Sequence, residues 1–532
     1  METNDNNEAD FASTSPDPES STSSELDASL TSVAKGATVI FGGLIVGNFL
    51  GMVNQIVLGR FLGPENYGLF NLSMSVVMIG GTLCSFGFLG SLPGFIPFHL
   101  KKNEKSVVRS AIDFASLFSL SLGTLFAVIT YLMSDRLAVT VFHDPKLAPA
   151  LKVFSFAIPF HGLQAVVQGA IRGFKAAKYE ALVFAIGSRV VTISIFLLSL
   201  FLIHRLYGAI VAFNAGILLT SIMAFWLIRK RILSDYRSWP RVAVARNVLS
   251  FSWPLALTGF TLLFVSKTDK LLLGYFLSSE DVGIYTPALL IASLLEFVNS
   301  AFKYRFLPTA SEYFSKNDMS GLEPLYKSTS RWSFLVVYPI FLLILVFSEE
   351  ILRLLYGSEY TGGHMALIVL SLGIVVNDFS GTSANILVAG GRTKLNLYCE
   401  VIAAVASTVL NILLIPIYGI LGAAIATSIS YVTRNITSLS FVYRSYGMHP
   451  YTKKYLNIVL SGIVLIVATY ILKIYSPFSW WLTMFTLGAL FVACYIAAAL
   501  FSRSFDRNDL VILEAIERKT GVKLDFLKRY FI

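Results

Sequence analysis

Charge is what this chain has least of. Asp, Glu, Lys and Arg make up 14% of its 532 residues, where a soluble chain carries roughly 25%. Cysteine is scarcer still. Cys84, Cys399 and Cys494 all fall in apolar stretches without metal-ligand spacing, which argues against a disulfide framework and against a cysteine metal site. Neither a Gly-x-x-x-x-Gly-Lys-[Ser/Thr] phosphate loop nor a His-Glu-x-x-His metal helix occurs. The polar loops are short, so no soluble ATPase or catalytic domain is expected, and no cofactor or metal. The first 34 residues lack a basic stretch followed by an apolar one, so a secretory signal peptide is not expected.

Hydrophobic residues are abundant, at 55% with a mean hydropathy of +0.69. A helix crosses the hydrocarbon core with ~20 apolar residues. Fourteen runs qualify: 36–59, 67–95, 108–133, 147–171, 180–203, 206–228, 248–267, 282–305, 330–348, 363–388, 396–415, 419–443, 455–474 and 478–501. The expectation is an all-α polytopic membrane protein with 14 transmembrane helices. The fourth, seventh and tenth runs carry Pro, Gly and polar residues, which membrane helices tolerate where they face protein or water. The net charge of +10 does not point to nucleic acid, because the basic residues alternate between loops. Of 42 Lys and Arg, 27 fall between the runs in one set of alternate segments and 6 in the other. That asymmetry predicts an N-in, C-in orientation.

The segment LGRFLGPENYGLF at 58–70 is echoed by LGYFLSSEDVGIY at 273–285, an offset of 215. A long-period echo signals duplication. Gly63-Pro64-Glu65 and Ser278-Ser279-Glu280 both read as helix starts, because Pro suits the first turn, Ser caps and Glu suits the positive end of the dipole. Both segments are expected to be hairpins on the outer side, with their glycines serving the turn. Pro93 falls on Pro308, Arg172-Gly173 on Ala389-Gly390, and Tyr207-Gly208 on Tyr418-Gly419, at offsets within a few residues of the first. The implied organisation is two pseudo-symmetric six-helix lobes, 35–228 and 248–445, related by an axis along the membrane normal. An acidic, disordered tail over 1–34 precedes them and a basic linker over 229–247 joins them. Two C-terminal helices over 446–502 follow, then a basic tail over 503–532, either an amphipathic helix on the inner leaflet or a solvated segment.

Ionisable groups at membrane depth cost roughly 2.5–3.5 kcal/mol on insertion scales and so turn inward. His161, Gln164 and Gln168 share one helical face in the fourth run. Glu296, Asn299 and Lys303 do so in the eighth, and Asp378, Thr382 and Asn385 in the tenth. His161 and Gln168 superpose on Asp378 and Asn385 in the repeat, and Asn54 on Asp269. Each stripe is either a cavity lining or interhelical hydrogen bonding. Arg189 and Arg434 lie deep in the fifth and twelfth runs, where an arginine must be paired or meet an anion. The candidate binding residues are therefore Arg189, Arg434, Lys303, Asn299, His161, Gln164, Gln168, Asn385 and Asn54. The candidate ion-coupling carboxylates are Glu296, Asp378 and Asp269.

The segment Leu62-Gly63-Pro64-Glu65-Asn66-Tyr67-Gly68-Leu69-Phe70, with Asp269-Lys270, Leu273-Gly274 and Val282-Gly283-Ile284-Tyr285, resembles motifs of the polysaccharide transporters of the multidrug/oligosaccharidyl-lipid/polysaccharide exporter superfamily. The Ala-Gly-Gly-Arg-Thr-Lys of 389–394 does too. The resemblance implies a flippase in the cell membrane. Such proteins carry lipid-linked sugars on a polyprenyl or dolichyl (pyro)phosphate from the cytoplasmic to the outer leaflet. Membrane lipids and the glycosyltransferases or polymerase of the pathway are the partners it implies. The acidic tail suits an archaeal member. A drug/cation antiporter of the related multidrug family, typically with twelve spans, is the first alternative. A membrane glycosyltransferase or polymerase is the second, and it leaves the repeat unexplained.

Overall fold

A computed structural model describes residues 18–232, 242–452 and 454–501. All regular structure among them is helical. The first half comprises α1 (Pro18–Cys84), α2 (Phe88–Lys101), α3 (Lys105–Arg136), α4 (Leu147–Ser155), α5 (Ala157–Gly173), the short α6 (Ala177–Tyr179), α7 (Ser188–Ser199) and α8 (Arg205–Leu227). The second begins with α9 (Val242–Phe276), α10 (Ser279–Ser315) and α11 (Met319–Leu355). It continues through α12 (His364–Phe379), α13 (Ser383–Ala389), α14 (Thr393–Tyr418) and α15 (Ile420–Tyr446). A last pair, α16 (Lys454–Ile474) and α17 (Trp480–Phe501), packs on α11. Glu180–Gly187 forms a π-helical segment leading into α7.

Ten helical stretches among the described residues are long and apolar enough to cross a membrane, or twelve if each of two bent pairs is one span. The chain is a multi-pass membrane protein. The bends fall where the sequence is interrupted. The axis turns by 43° between α4 and α5, and by 50° between the two halves of α9. In the tenth run, α12 and α13 are separated by a turn at Ser380–Thr382, with Gly381 at φ +71°. Glycine is required there, since a left-handed backbone is costly for other residues.

At 58–70 one helix ends and the next begins: the backbone breaks at Gly63 (φ 73°, ψ 167°) and the helix restarts at Pro64, because proline needs no intrahelical donor in a first turn. Two expectations need correcting. The helix α10 runs to Ser315, so Pro308 lies within it. The helix α1 begins at Pro18, inside the stretch expected to be disordered. Proline at the first helical position with Glu19 next to it is a favourable start. Residues 1–17, part of the linker (233–241) and the expected C-terminal amphipathic stretch lie outside the described residues.

The two motif copies meet each other. A Cβ built on Gly68 would lie 1.6 Å from the Ser279 carbonyl oxygen, and one on Gly283 1.9 Å from that of Pro64. These glycines serve a backbone-to-backbone crossing of α1 and α10, not a turn. Around it, Tyr360 Oη donates to the Gly59 carbonyl at 2.5 Å and Ser279 Oγ to Asp144 Oδ2 at 2.6 Å. Lys146 pairs with Glu65, and this hydrogen bond raises the lysine pKa above its ordinary value. The restart of α10 is capped by Ser278, whose hydroxyl accepts from the Asp281 amide while Asp281 accepts from the Ser278 amide. A large apolar core runs through this level, with Tyr67, Phe70, Tyr285 and Tyr360 almost fully buried.

Candidate functional site

Away from that crossing, α1 and α10 diverge and a cavity of about 460 Å³ opens between them. Asn48, Phe49 and Gln55 of α1 line it on one side, Ser293 and Phe297 of α10 on the other, and Arg189 of α7 projects into it. A smaller cavity of about 180 Å³ shares Gly47, Asn48 and Arg189 with it and adds Gln168, Arg172 and Glu180. Gly51 of α1 lies close to the guanidinium: a Cβ there would sit 3.6 Å from Arg189 Nε, an ordinary contact. Arg172 and Glu180 neutralise each other at 2.7 Å, and Gln168 Nε2 donates to Glu180 Oε1 at 3.4 Å. Arg189 makes no ion pair with any described residue. It is an uncompensated cation facing a cavity at membrane depth, the setting in which a guanidinium takes an anion.

The second half holds a different chamber. A cavity of about 230 Å³ is lined by Glu296 and Lys303 of α10, Asn377 of α12, Thr382, Asn385 of α13, Asn396 and Glu400 of α14, and Arg434 and Asn435 of α15. Arg434 is 3.8 Å from both Glu296 and Glu400 and 3.5 Å from Asn377 Oδ1. The phosphate-binding role expected of Arg434 therefore meets an obstacle. Packing brings two carboxylates to it, and its charge is already compensated. Lys303 lies within electrostatic reach of Glu296, Asp378 and Glu400 without closing an ion pair. Asn385 donates to the Lys303 carbonyl at 3.3 Å, and Asn435 donates to the carbonyl of Asn377.

The other expected residues are drawn into packing. Asp378 is fully buried, and Ser333 Oγ lies 2.9 Å from its Oδ1 and 3.2 Å from Asn299 Oδ1. This ties α10, α11 and α12 together without touching either cavity. His161 rests on Gly81, where a Cβ would lie 2.7 Å from its Nδ1, so α5 approaches α1 closely there. Gln164 is half-buried on α5 and Asn54 is buried in α1. Asp269 is enclosed, accepting from Tyr285 Oη at 3.0 Å and from the Lys270 amide at 2.8 Å. Lys270 is buried beside it, its Nζ 3.4 Å from Asn71 Oδ1 on α1. Among the three expected coupling carboxylates, Glu296 is the one that lines a cavity.

Sequence reasoning missed Glu400, Asn396, Asn377, Asn435, Arg172 and Glu180. A signal existed for the first two: Asn396 and Glu400 are i and i+4, hence on one face of α14. Asn377 and Asn435 adjoin residues already singled out. No group of three or more His, Cys, Asp or Glu placed to hold a metal is found among the described residues.

Bent and broken helices around polar cavities are the fold of a multi-pass α-helical membrane protein. Comparison with solved structures agrees. The lipid II flippase MurJ in an inward closed conformation superposes with a TM-score of 0.67 at 18% identity, covering 88% of this chain and 99% of that one. An inward-facing multidrug resistance MATE family transporter of the MOP superfamily superposes at 0.64, with 16% identity over 77% and 98%. The profile of the family described as polysaccharide biosynthesis protein matches residues 57–363, more than half the chain, and the chain belongs to that family. Among curated relatives, the Haloferax volcanii protein named "Probable low-salt glycan biosynthesis flippase Agl15" is 29% identical over 37% of this chain. The match spans 42% of that relative. "Probable flippase AglR" of the same organism is 23% identical over 77% of this chain and 83% of its own length.

Proposed function

We propose that this protein is a flippase for lipid-linked saccharides, moving a polyprenyl- or dolichyl-(pyro)phosphate sugar across the cell membrane by alternating access. The observation that carries the reading is Arg189, a guanidinium without an ion pair among the described residues, in the cavity between α1, α7 and α10. A lipid phosphate supplies the charge it lacks, and Asn48 and Gln55 supply further hydrogen bonds at the same wall. The names of the flippase relatives support the same reading. The free cation weighs against a cationic drug as cargo, since like charges repel strongly at low dielectric.

Fourteen spans, N-in and C-in, complete the proposed architecture. Dividing the long Ile45–Lys101 stretch at Gly63, taking each bent pair as one span and counting the less apolar α15 bring the number to fourteen. Two six-helix lobes then face each other across α1 and α10, and α16–α17 lies outside them. In this state the motif crossing would close the outer side.

The test uses the full chain in proteoliposomes with a fluorescent polyprenyl phosphoryl sugar and an impermeant quencher. Replacing Arg189 by Ala should slow transbilayer movement by roughly 100-fold, the loss of a charge-assisted hydrogen-bond set. An unchanged rate, with the variant inserted normally, would overturn the reading.

A further inference from the structure

Two polar cavities border the same helix, and their charges differ. The one at Arg189 carries a single uncompensated positive charge. In the other, Glu296, Glu400, Arg434 and Lys303 sum to zero, so no net charge is demanded of a ligand. Its wall is nonetheless built to hydrogen-bond something. Thr382 is 2% exposed and its hydroxyl has no partner, although it borders the cavity. The Asn396 carbonyl oxygen is buried there and likewise unpartnered. Burying a polar group without a partner is costly, so two such atoms at one small cavity point to an occupant that satisfies them.

The occupant's chemistry follows from the wall. Carboxylates accept from hydroxyls, the guanidinium and the amide NH2 groups donate to them, and the orphaned Thr382 and Asn396 atoms can serve the same network. A neutral molecule dense in hydroxyl groups meets all of these at once. An inorganic cation would leave Arg434 and Lys303 facing like charge, and a phosphate would face Glu296 and Glu400. A cavity of about 230 Å³ is of the size of one sugar ring. The position agrees as well. The first cavity touches α10 at Leu290–Phe297 and the second at Glu296 and Lys303. Their centres along α10 are six residues apart, roughly 9 Å at 1.5 Å per residue, a step that a phosphate joined to one or two sugar rings covers.

We propose that the chamber formed by Glu296, Glu400, Arg434, Thr382, Asn396 and Asn435 is a subsite for a neutral sugar ring of the cargo, separate from the phosphate site at Arg189. The proposal rests on the flippase reading and assigns the cargo's two ends to the two halves of the protein. Arg434 and Glu296 then act as a hydroxyl-binding pair, not as a phosphate clamp and an ion-coupling acid.

The experiment measures binding of water-soluble citronellyl phosphate and of its glucosyl, galactosyl and mannosyl phosphodiesters to the purified full-length protein. At least one hexosyl ester should bind more tightly than bare citronellyl phosphate. Glu400→Gln and, as a second variant of unchanged charge, Asn435→Ser should each weaken that ester about tenfold while shifting bare phosphate by less than about twofold. Retained phosphate binding reports that the variants are folded. Arg189→Ala should weaken both ligands. Equal losses of both ligands in the chamber variants, no loss in either, or no hexosyl ester exceeding bare phosphate overturns the sugar subsite. Arg189→Ala without effect on either ligand overturns the flippase reading itself, a separate outcome.

Discussion

Arg189 and Arg434 hold comparable places, each deep in a span, one in each half of the chain, yet their surroundings are opposite. Arg189 looks across a cavity at glycine, amide and aromatic groups, and the carboxylate of its smaller adjoining cavity, Glu180, is already paired with Arg172. Arg434 stands between Glu296 and Glu400. A lone guanidinium at membrane depth is stable only if a cavity and an anion accommodate it, whereas a guanidinium between carboxylates is part of the wall. The comparison teaches that an arginine within a span becomes a binding group only where its neighbours leave its charge uncompensated.

That contrast breaks most sharply if Arg189 is given the partner it lacks. Gly51→Asp places a carboxylate against the guanidinium, where a Cβ already sits 3.6 Å from Nε. Transbilayer movement should fall by roughly 100-fold, matching removal of the arginine. Gly51→Ala, which adds only an ordinary contact, should stay near the unmodified rate in the same assay. If Gly51→Asp transports normally, the free charge of Arg189 has no part in the reaction.

A smaller effect separates the two arginines by stability. Arg434→Ala leaves Glu296 and Glu400 with Lys303 alone against them and should cost about 1–2 kcal/mol, a figure held down by the partial exposure of all three paired groups. Arg189→Ala strands no carboxylate and should change stability by less than about 0.5 kcal/mol. Thermal unfolding of the two variants in detergent reads the difference. Equal losses would mean that both arginines are structural.

The smallest effect compares the two motif copies. The second starts its helix with a reciprocal Ser278–Asp281 cap, the first with Pro64 after the Gly63 break. Ser278→Ala should cost about 1 kcal/mol and speed hydrogen exchange in the first turn of α10. The turn at Pro64 should keep its protection. Acceleration there too would show that the glycine crossing transmits the damage between halves.

Much of this architecture is legible in the chain. The three interrupted runs, 147–171, 248–267 and 363–388, all bend or break, because Pro, Gly and polar residues mark such places locally; the second run, 67–95, breaks as well, at 85–87, without having been singled out. The helix restarts at Pro64 and Ser278 are legible for the same reason. Glu296, Lys303, Asn385 and Arg434 were each singled out from the sequence, but their meeting in one chamber was not legible there. The sorting of the stripes was not legible. Asn299 and Lys303 share a face of α10, yet Asn299 is closed in by Ser333 and Asp378 while Lys303 borders the chamber. Helical spacing says which residues share a face and not what that face meets.

By itself, the sequence determined that the chain is helical and membrane-embedded, and it carries an echo of one segment at an offset of 215 residues. Insertion depends on local apolar length and composition, and duplication is a property of order along the chain. Tertiary structure alone decided the role of the opening motif and of the buried charges. Gly68 and Gly283 become a crossing only when helices 215 residues apart are brought together. Arg434 is compensated because α10 and α14 deliver carboxylates to it, and Arg189 has no ion pair among the described residues because α1 and α10 present no carboxylate to the cavity it faces. Charge compensation is a matter of distances of a few ångströms in space, and no local pattern of residues encodes them.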